Sequence, residues 1–143
     1  KERMREENAI YGGEMSAHHY FRDFSYCDSG MIPWLLISEL ISTKQRSLST
    51  LVAERIAAYP CSGEINYTVD DSQAVIQRFH SYFSEQKPKV DLTDGVSLEF
   101  DDCRINVRAS NTEPLLRLNI ESRGNINLVH EIKTEVESII NGN

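Results

Sequence analysis

The sequence predicts an α+β chain: a C-terminal β-α-β-β-β-α domain over residues 60–143, preceded at 1–59 by the C-terminal portion of an α/β domain. Three observations predict this. Apolar residues alternate at strand period in four segments after residue 60. Two stretches there repeat apolar residues at helical spacing, which suits an antiparallel sheet with both helices on one face. Before residue 60, one short strand and a nearly all-apolar helix lack enough neighbouring structure to cover them, so that part is expected to be incomplete.

The chain opens Lys1-Glu2-Arg3-Met4-Arg5-Glu6-Glu7-Asn8, which reads as the tail of a charged helix entered mid-stream. Ala9-Ile10-Tyr11 is a strand candidate running into Gly12-Gly13, followed by a polar and aromatic loop to Tyr26. Asp28 or Ser29 can cap a helix reaching about Ser42, with Pro33 tolerated in its first turns. Its Trp34 cluster is expected as core. Ser47 caps a second helix over 48–58, and Pro60 with Gly63 marks the seam.

Beyond the seam, residues 64–69 form a strand with Ile65, Tyr67 and Val69 on one side. Asp70 or Asp71 caps a helix carrying Val75, Ile76, Phe79, Tyr82 and Phe83. An extended piece around Val90 and a Thr93-Asp94-Gly95 turn lead to strands over 96–100, 104–109 and 115–122. Asp101-Asp102 makes the first hairpin. After Arg123-Gly124-Asn125, a last helix aligns Val129, Ile132, Val136, Ile139 and Ile140.

Composition removes several function classes. A net charge of −7 disfavours nucleic-acid binding, which draws its affinity from clustered Lys and Arg. No apolar run reaches the length of a membrane span. Cys27, Cys61 and Cys103 fit neither a metal site nor a disulfide framework, and are expected as buried free thiols in a reducing cytoplasm. The exposed apolar face around Trp34–Leu40 raises the expectation of self-association.

Two loops carry chemistry. Arg108-Ala109-Ser110-Asn111-Thr112-Glu113-Pro114 joins two strands, which hold it rigidly. Arg108 offers a fork of donors matching two phosphate oxygens, while Ser110, Asn111 and Thr112 add short donors and backbone N–H groups. Arg117 adds more distant positive charge. An ordinary polar hairpin turn is the alternative. The second loop, Gly12-Gly13-Glu14-Met15-Ser16-Ala17-His18-His19, follows a strand. Glu14 and Ser16, two residues apart, point the same way in an extended segment and suit adjacent sugar hydroxyls. A plain Gly-Gly turn is the competing reading, and a metal site at His18 and His19 lacks a third ligand.

Together the loops resemble the α-D-phosphohexomutases, particularly the phosphomannomutase/phosphoglucomutase group and its bacterial phosphomannomutase branch. Gly13-Glu14-Met15-Ser16-Ala17-His18 is similar to the family's sugar loop, Gly-Glu-x-Ser-Gly-His, with Ala17 in place of glycine. Arg108 through Pro114 is similar to its phosphate loop, Arg-x-Ser-Asn-Thr-x-Pro; Asn111 speaks against the phosphoglucosamine branch, which usually has glycine there. The resemblance implies a cytoplasmic isomerase interconverting mannose 6- and 1-phosphates, or the glucose pair, through a bisphosphate. Glu14, Ser16 and His18 would hold sugar hydroxyls; Arg108, Ser110, Asn111 and Thr112 would hold phosphate. The family's phosphoserine and its magnesium-binding Asp-Gly-Asp-Gly-Asp loop are not in this sequence. The fragment alone is therefore expected to be inactive, with Mg2+ belonging to the longer enzyme. A non-catalytic anion- or protein-binding module is the alternative from another class.

Overall fold

Alternating apolar residues after position 60 build a five-stranded antiparallel sheet in the computed structural model, which describes residues 1–14, 16–110 and 112–142. Its strands are β4 (Ile65–Thr68), β5 (Lys89–Asp91), β6 (Val96–Glu99), β7 (Cys103–Ala109) and β8 (Leu115–Ser122), in the order β4-β8-β7-β6-β5. The extended piece around Val90 is thus a true edge strand. Helices α4 (Ser72–Ser84) and α5 (Ile126–Ile140) pack on β7 and β8 and on each other.

The pleat divides the sheet into two faces. Ile105, Val107, Leu116, Leu118 and Ile120 are fully buried and meet Phe79, Val136 and their neighbours on the two helices. Full burial of each such side chain is worth roughly 1.5–3 kcal/mol. The opposite face carries Arg104, Asn106 and Arg108 on β7, with Arg117, Asn119 and Glu121 on β8. Both helices start where a side chain accepts an otherwise unpaired N–H: Asp71 from Ala74 at 3.0 Å and Asn125 from Leu128 at 3.2 Å. Asp101-Asp102 does close a tight hairpin, Phe100 N–H donating to Cys103 O at 2.9 Å.

The chain divides into two compact units, Lys1–Val52 and Ala53–Asn143. The first holds α1 (Glu2–Glu6), a three-stranded antiparallel sheet and α2 (Met31–Lys44). The sheet consists of β1 (Tyr11–Gly13), β2 (His19–Phe21) and β3 (Cys27–Asp28). β2 therefore occupies what reads as loop in the sequence, β3 takes in Asp28, expected as a possible helix cap, and β1 begins at Tyr11 rather than Ala9. α3 (Leu48–Ala58) spans the division, with Ser47 Oγ accepting from Thr50 N–H at 3.2 Å.

Two expectations fail. Trp34 is 60% exposed, and Met31, Leu35 and Leu36 are exposed with it, so the Trp34 cluster is not core. The helix is apolar on nearly all sides, and no neighbouring layer among the described residues covers it. Of the cysteines only Cys103 is buried, its thiol pushed up to about 11 chiefly by burial, while Cys27 and Cys61 are exposed. Cys61 forms a bridge to Glu121 at the sheet edge, where solvent reaches it.

Candidate functional site

The phosphate-type loop closes the β7–β8 hairpin. Ser110 N–H donates to Leu115 O at 2.8 Å just beyond the last strand pair, Ala109 with Leu116, so the ladder runs into the loop. Thr112 N–H lies 3.4 Å from Ser110 Oγ. Asn111 lies outside the described residues. Arg108, Ser110 and Thr112 all line one open cleft of about 520 Å³, together with Arg117, Asp94, Gly95 and Gln73 of the first turn of α4. Clefts of ~300–1,000 Å³ are the usual size for small ligands.

Charge is organised around Glu64, immediately before β4. Its Oε2 accepts from an Arg108 guanidinium N–H at 3.1 Å, and its Oε1 is 3.8 Å from Arg117 Nε. The three side chains are partly buried, Glu64 the most at 18% exposure. Asp94, largely exposed, lies 3.6 Å from the other terminal nitrogen of Arg108. Gly95 supports this from beneath: its φ is +70°, and a Cβ there would stand 2.3 Å from Val107 O and 2.7 Å from Arg108 Cα. Only glycine lets the β6 turn lie so close to the backbone that carries Arg108.

The second loop is the tip of the β1–β2 hairpin. Met15 lies outside the described residues. Glu14 Oε1 accepts from the Tyr20 hydroxyl at 2.8 Å and Oε2 from Ser16 Oγ at 3.3 Å. Tyr20 is raised above its usual value because it donates to that carboxylate. Ala17 sits at φ 63°, the left-handed region where glycine is at ease. Asp28 accepts from His18 Nδ1 at 2.6 Å and from the His19 backbone N–H at 2.8 Å. The N-cap of α2 is Gly30 rather than Asp28 or Ser29, although Ser29 Oγ, one residue earlier, accepts from Ile32 N–H at 3.3 Å.

Asp28 sets the charge of His18. Its hydrogen bond raises the imidazole above the ordinary 6.5 and lowers its own carboxyl. The folded His18 value is the raised one, so the pair's contribution is complete below 6.5 and disappears as pH climbs through the folded value. The folded Asp28 value is the lowered one, so its contribution is complete above the usual carboxylate range and disappears as pH falls through the folded value. The ion pair therefore holds between those two limits. Asp28→Asn is expected to bring the His18 imidazole back toward 6.5 in an NMR titration; an unmoved titration would show that Asp28 does not govern it.

Glu14 and Ser16 lie together as the spacing suggests, and Arg108, Ser110 and Thr112 line one cleft. Glu64 beside Arg108 and Asp28 beside His18 do not follow from the spacing, and Arg117 lies nearer the cleft than the expectation of distant charge. The signal for Glu64 was present: Arg108 directly opposite Arg117 puts like charges side by side on one face, which calls for a counter-ion.

Residues 1–59 match the family description "Phosphoglucomutase/phosphomannomutase, alpha/beta/alpha domain III", and residues 64–139 match its "C-terminal domain". The chain belongs to the phosphoglucomutase/phosphomannomutase family. It is 57% identical over 141 residues to a phosphomannomutase of Salmonella montevideo, covering 99% of this chain and 31% of that protein. It is 56% identical over 142 residues to a protein of Xanthomonas campestris named "Phosphohexose mutases", covering 99% and 32%. A solved family structure from Burkholderia thailandensis shares the fold, with a TM-score of 0.70 at 20% identity, covering 99% of this chain and 30% of that one. The chain thus spans about a third of the length of the curated family members it matches. Among the described residues no group of His, Cys, Asp or Glu is arranged to hold a metal ion, and no helix is long and apolar enough to cross a membrane.

Proposed function

We propose that this chain is the substrate-gripping part of a phosphomannomutase, with residues 1–59 holding sugar hydroxyls and 60–143 holding phosphate. The observation that carries the reading is the shared cleft of Arg108, Ser110 and Thr112. A guanidinium and two hydroxyls around one opening supply charge-assisted and neutral donors for the oxygens of a phosphate monoester. Asn111 of the same loop adds an amide.

Glu14 suits the sugar. An ionised carboxylate has about four lone-pair sites, and Tyr20 and Ser16 occupy two of them. The remaining sites accept from ring hydroxyls, whichever way the sugar lies. His18, whose cationic form Asp28 favours through its hydrogen bond, donates from its other nitrogen. A phosphate anchor combined with a hydroxyl clamp tolerant of reversal fits a substrate that must react at both ends. Such a grip contributes positioning, and bond making falls to a phosphoserine and a magnesium site supplied outside these residues. The apolar α2 suits an interior place in the rest of the third domain. Glucose phosphates satisfy the same donors and acceptors as mannose phosphates.

NMR titration with mannose 1-phosphate tests the grip. Shifts are expected at Ser110, Thr112, Glu14 and Ser16; a cleft silent at millimolar ligand would end the phosphate reading. Asp94 competes for Arg108 as an exposed carboxylate, and exposed pairs are worth about 0.2–1 kcal/mol. Asp94→Asn is accordingly expected to tighten phosphate binding up to about fivefold, read by calorimetry; weaker binding would show that Asp94 orients the guanidinium instead of competing for it.

A further inference from the structure

We propose that Tyr20 is the positioning residue of the sugar grip, its hydroxyl fixing the Glu14 carboxylate in place before ring hydroxyls arrive; this rests on the reading of residues 1–59 as a hydroxyl clamp. The β1–β2 register pairs Gly12 with Tyr20, and one step nearer the tip the Glu14 N–H donates to His18 O at 2.9 Å. Strand alternation then puts Tyr20, Glu14 and His18 on one face of the hairpin, with Tyr11, His19 and Phe21 on the other. Gly12 sets no side chain opposite Tyr20, so the ring can lean along the hairpin toward its tip. There its hydroxyl meets Glu14 Oε1 at 2.8 Å, and its ring stacks on His18 with centroids 6.5 Å apart and planes at 23°.

Counting donors gives Tyr20 its role. A phenol has a single O–H, and here that hydrogen goes to Glu14, so Tyr20 acts on a sugar through the carboxylate rather than by donating to the sugar itself. Glu14 is held at both oxygens, by Tyr20 at 2.8 Å and by Ser16 at 3.3 Å. The serine hold is the longer one, and on the present reading Ser16 turns to the sugar. Tyr20 is then the hold that stays, because a paired strand carries it and His18 lies against its ring. A glutamate free to rotate must be immobilised when ligand binds, and a carboxylate already aimed is spared that loss. Phenylalanine would supply the same stack on His18; the hydroxyl adds the hold on Glu14.

NMR titration of the chain with mannose 1-phosphate, and with inorganic phosphate, which has no ring hydroxyl, tests this in Tyr20→Phe, Glu14→Ala and the double variant. Tyr20→Phe is expected to weaken mannose 1-phosphate about two- to tenfold and to leave inorganic phosphate unchanged. In the Glu14→Ala background the same substitution is expected to add nothing, because the carboxylate it sets is gone. A merely structural role would cost the same in both backgrounds, and that result would overturn the proposal. If Tyr20→Phe binds mannose 1-phosphate as well as the unaltered chain, or more tightly, while Glu14→Ala is weakened, the positioning role is overturned and the sugar reading survives. If Glu14→Ala also binds unchanged, the sugar reading fails and takes this inference with it.

Discussion

Gly95→Ala is expected to destabilise the C-terminal unit by roughly 2–5 kcal/mol, combining ~1–2 for a left-handed backbone with ~1–3 for overpacking. The added Cβ would stand 2.3 Å from Val107 O and 2.6 Å from Arg108 Cβ. Neither neighbour can swing aside, since one is main chain and the other is fixed to it. Relief must come from moving β6 away from β7, through the segment that aims Arg108 into the cleft. Phosphate affinity is therefore expected to fall along with stability. Urea unfolding followed through β7 and β8 amide signals measures the first effect; an unchanged midpoint would mean that this turn yields at no cost.

The second large effect is expected at Arg108 itself. Charge-assisted hydrogen bonds are worth roughly 1.5–3 kcal/mol, so Arg108→Gln should weaken phosphate about 10- to 100-fold. Arg108→Lys should lie between, because an ammonium retains the attraction but cannot present two parallel donors. The glutamine variant also removes the 3.1 Å bond to Glu64, leaving that carboxylate with Arg117 at 3.8 Å. A modest loss of stability is expected alongside the loss of affinity, and the lysine variant separates the two. Affinity unchanged in both variants would mean that Arg108 serves Glu64 alone.

The C-terminal unit was legible because each of its long elements carries a period. Ile105 and Val107 alternate, Val129, Ile132 and Val136 follow helical spacing, and the structure buries all of them. The strands β2 and β3 were not legible, being three and two residues long, too short to show any period. Their residues His19-Tyr20-Phe21 read equally well as an aromatic loop. The grouping of Arg108 at the end of β7 with Ser110 and Thr112 of the following loop was legible in the motif, but the counter-ions were not, because Glu64 is 44 residues from its partner. Asp28 shows the same difficulty at shorter range: an acid before a helix reads as a cap, and only the hairpin geometry gives it to His18. Cysteine exposure at positions 27 and 61 leaves no mark in spacing at all.

The outer strand β5 has a bearing on how this protein behaves in a crowded solution. Three residues long, it sets Lys89 and Asp91 beside a single valine, and Lys89 is tied across to Glu99 at 3.5 Å. A border so brief and so charged offers a foreign strand no template on which to grow. The sheet of the C-terminal unit is thus protected from fibril-like stacking on that side by its own geometry.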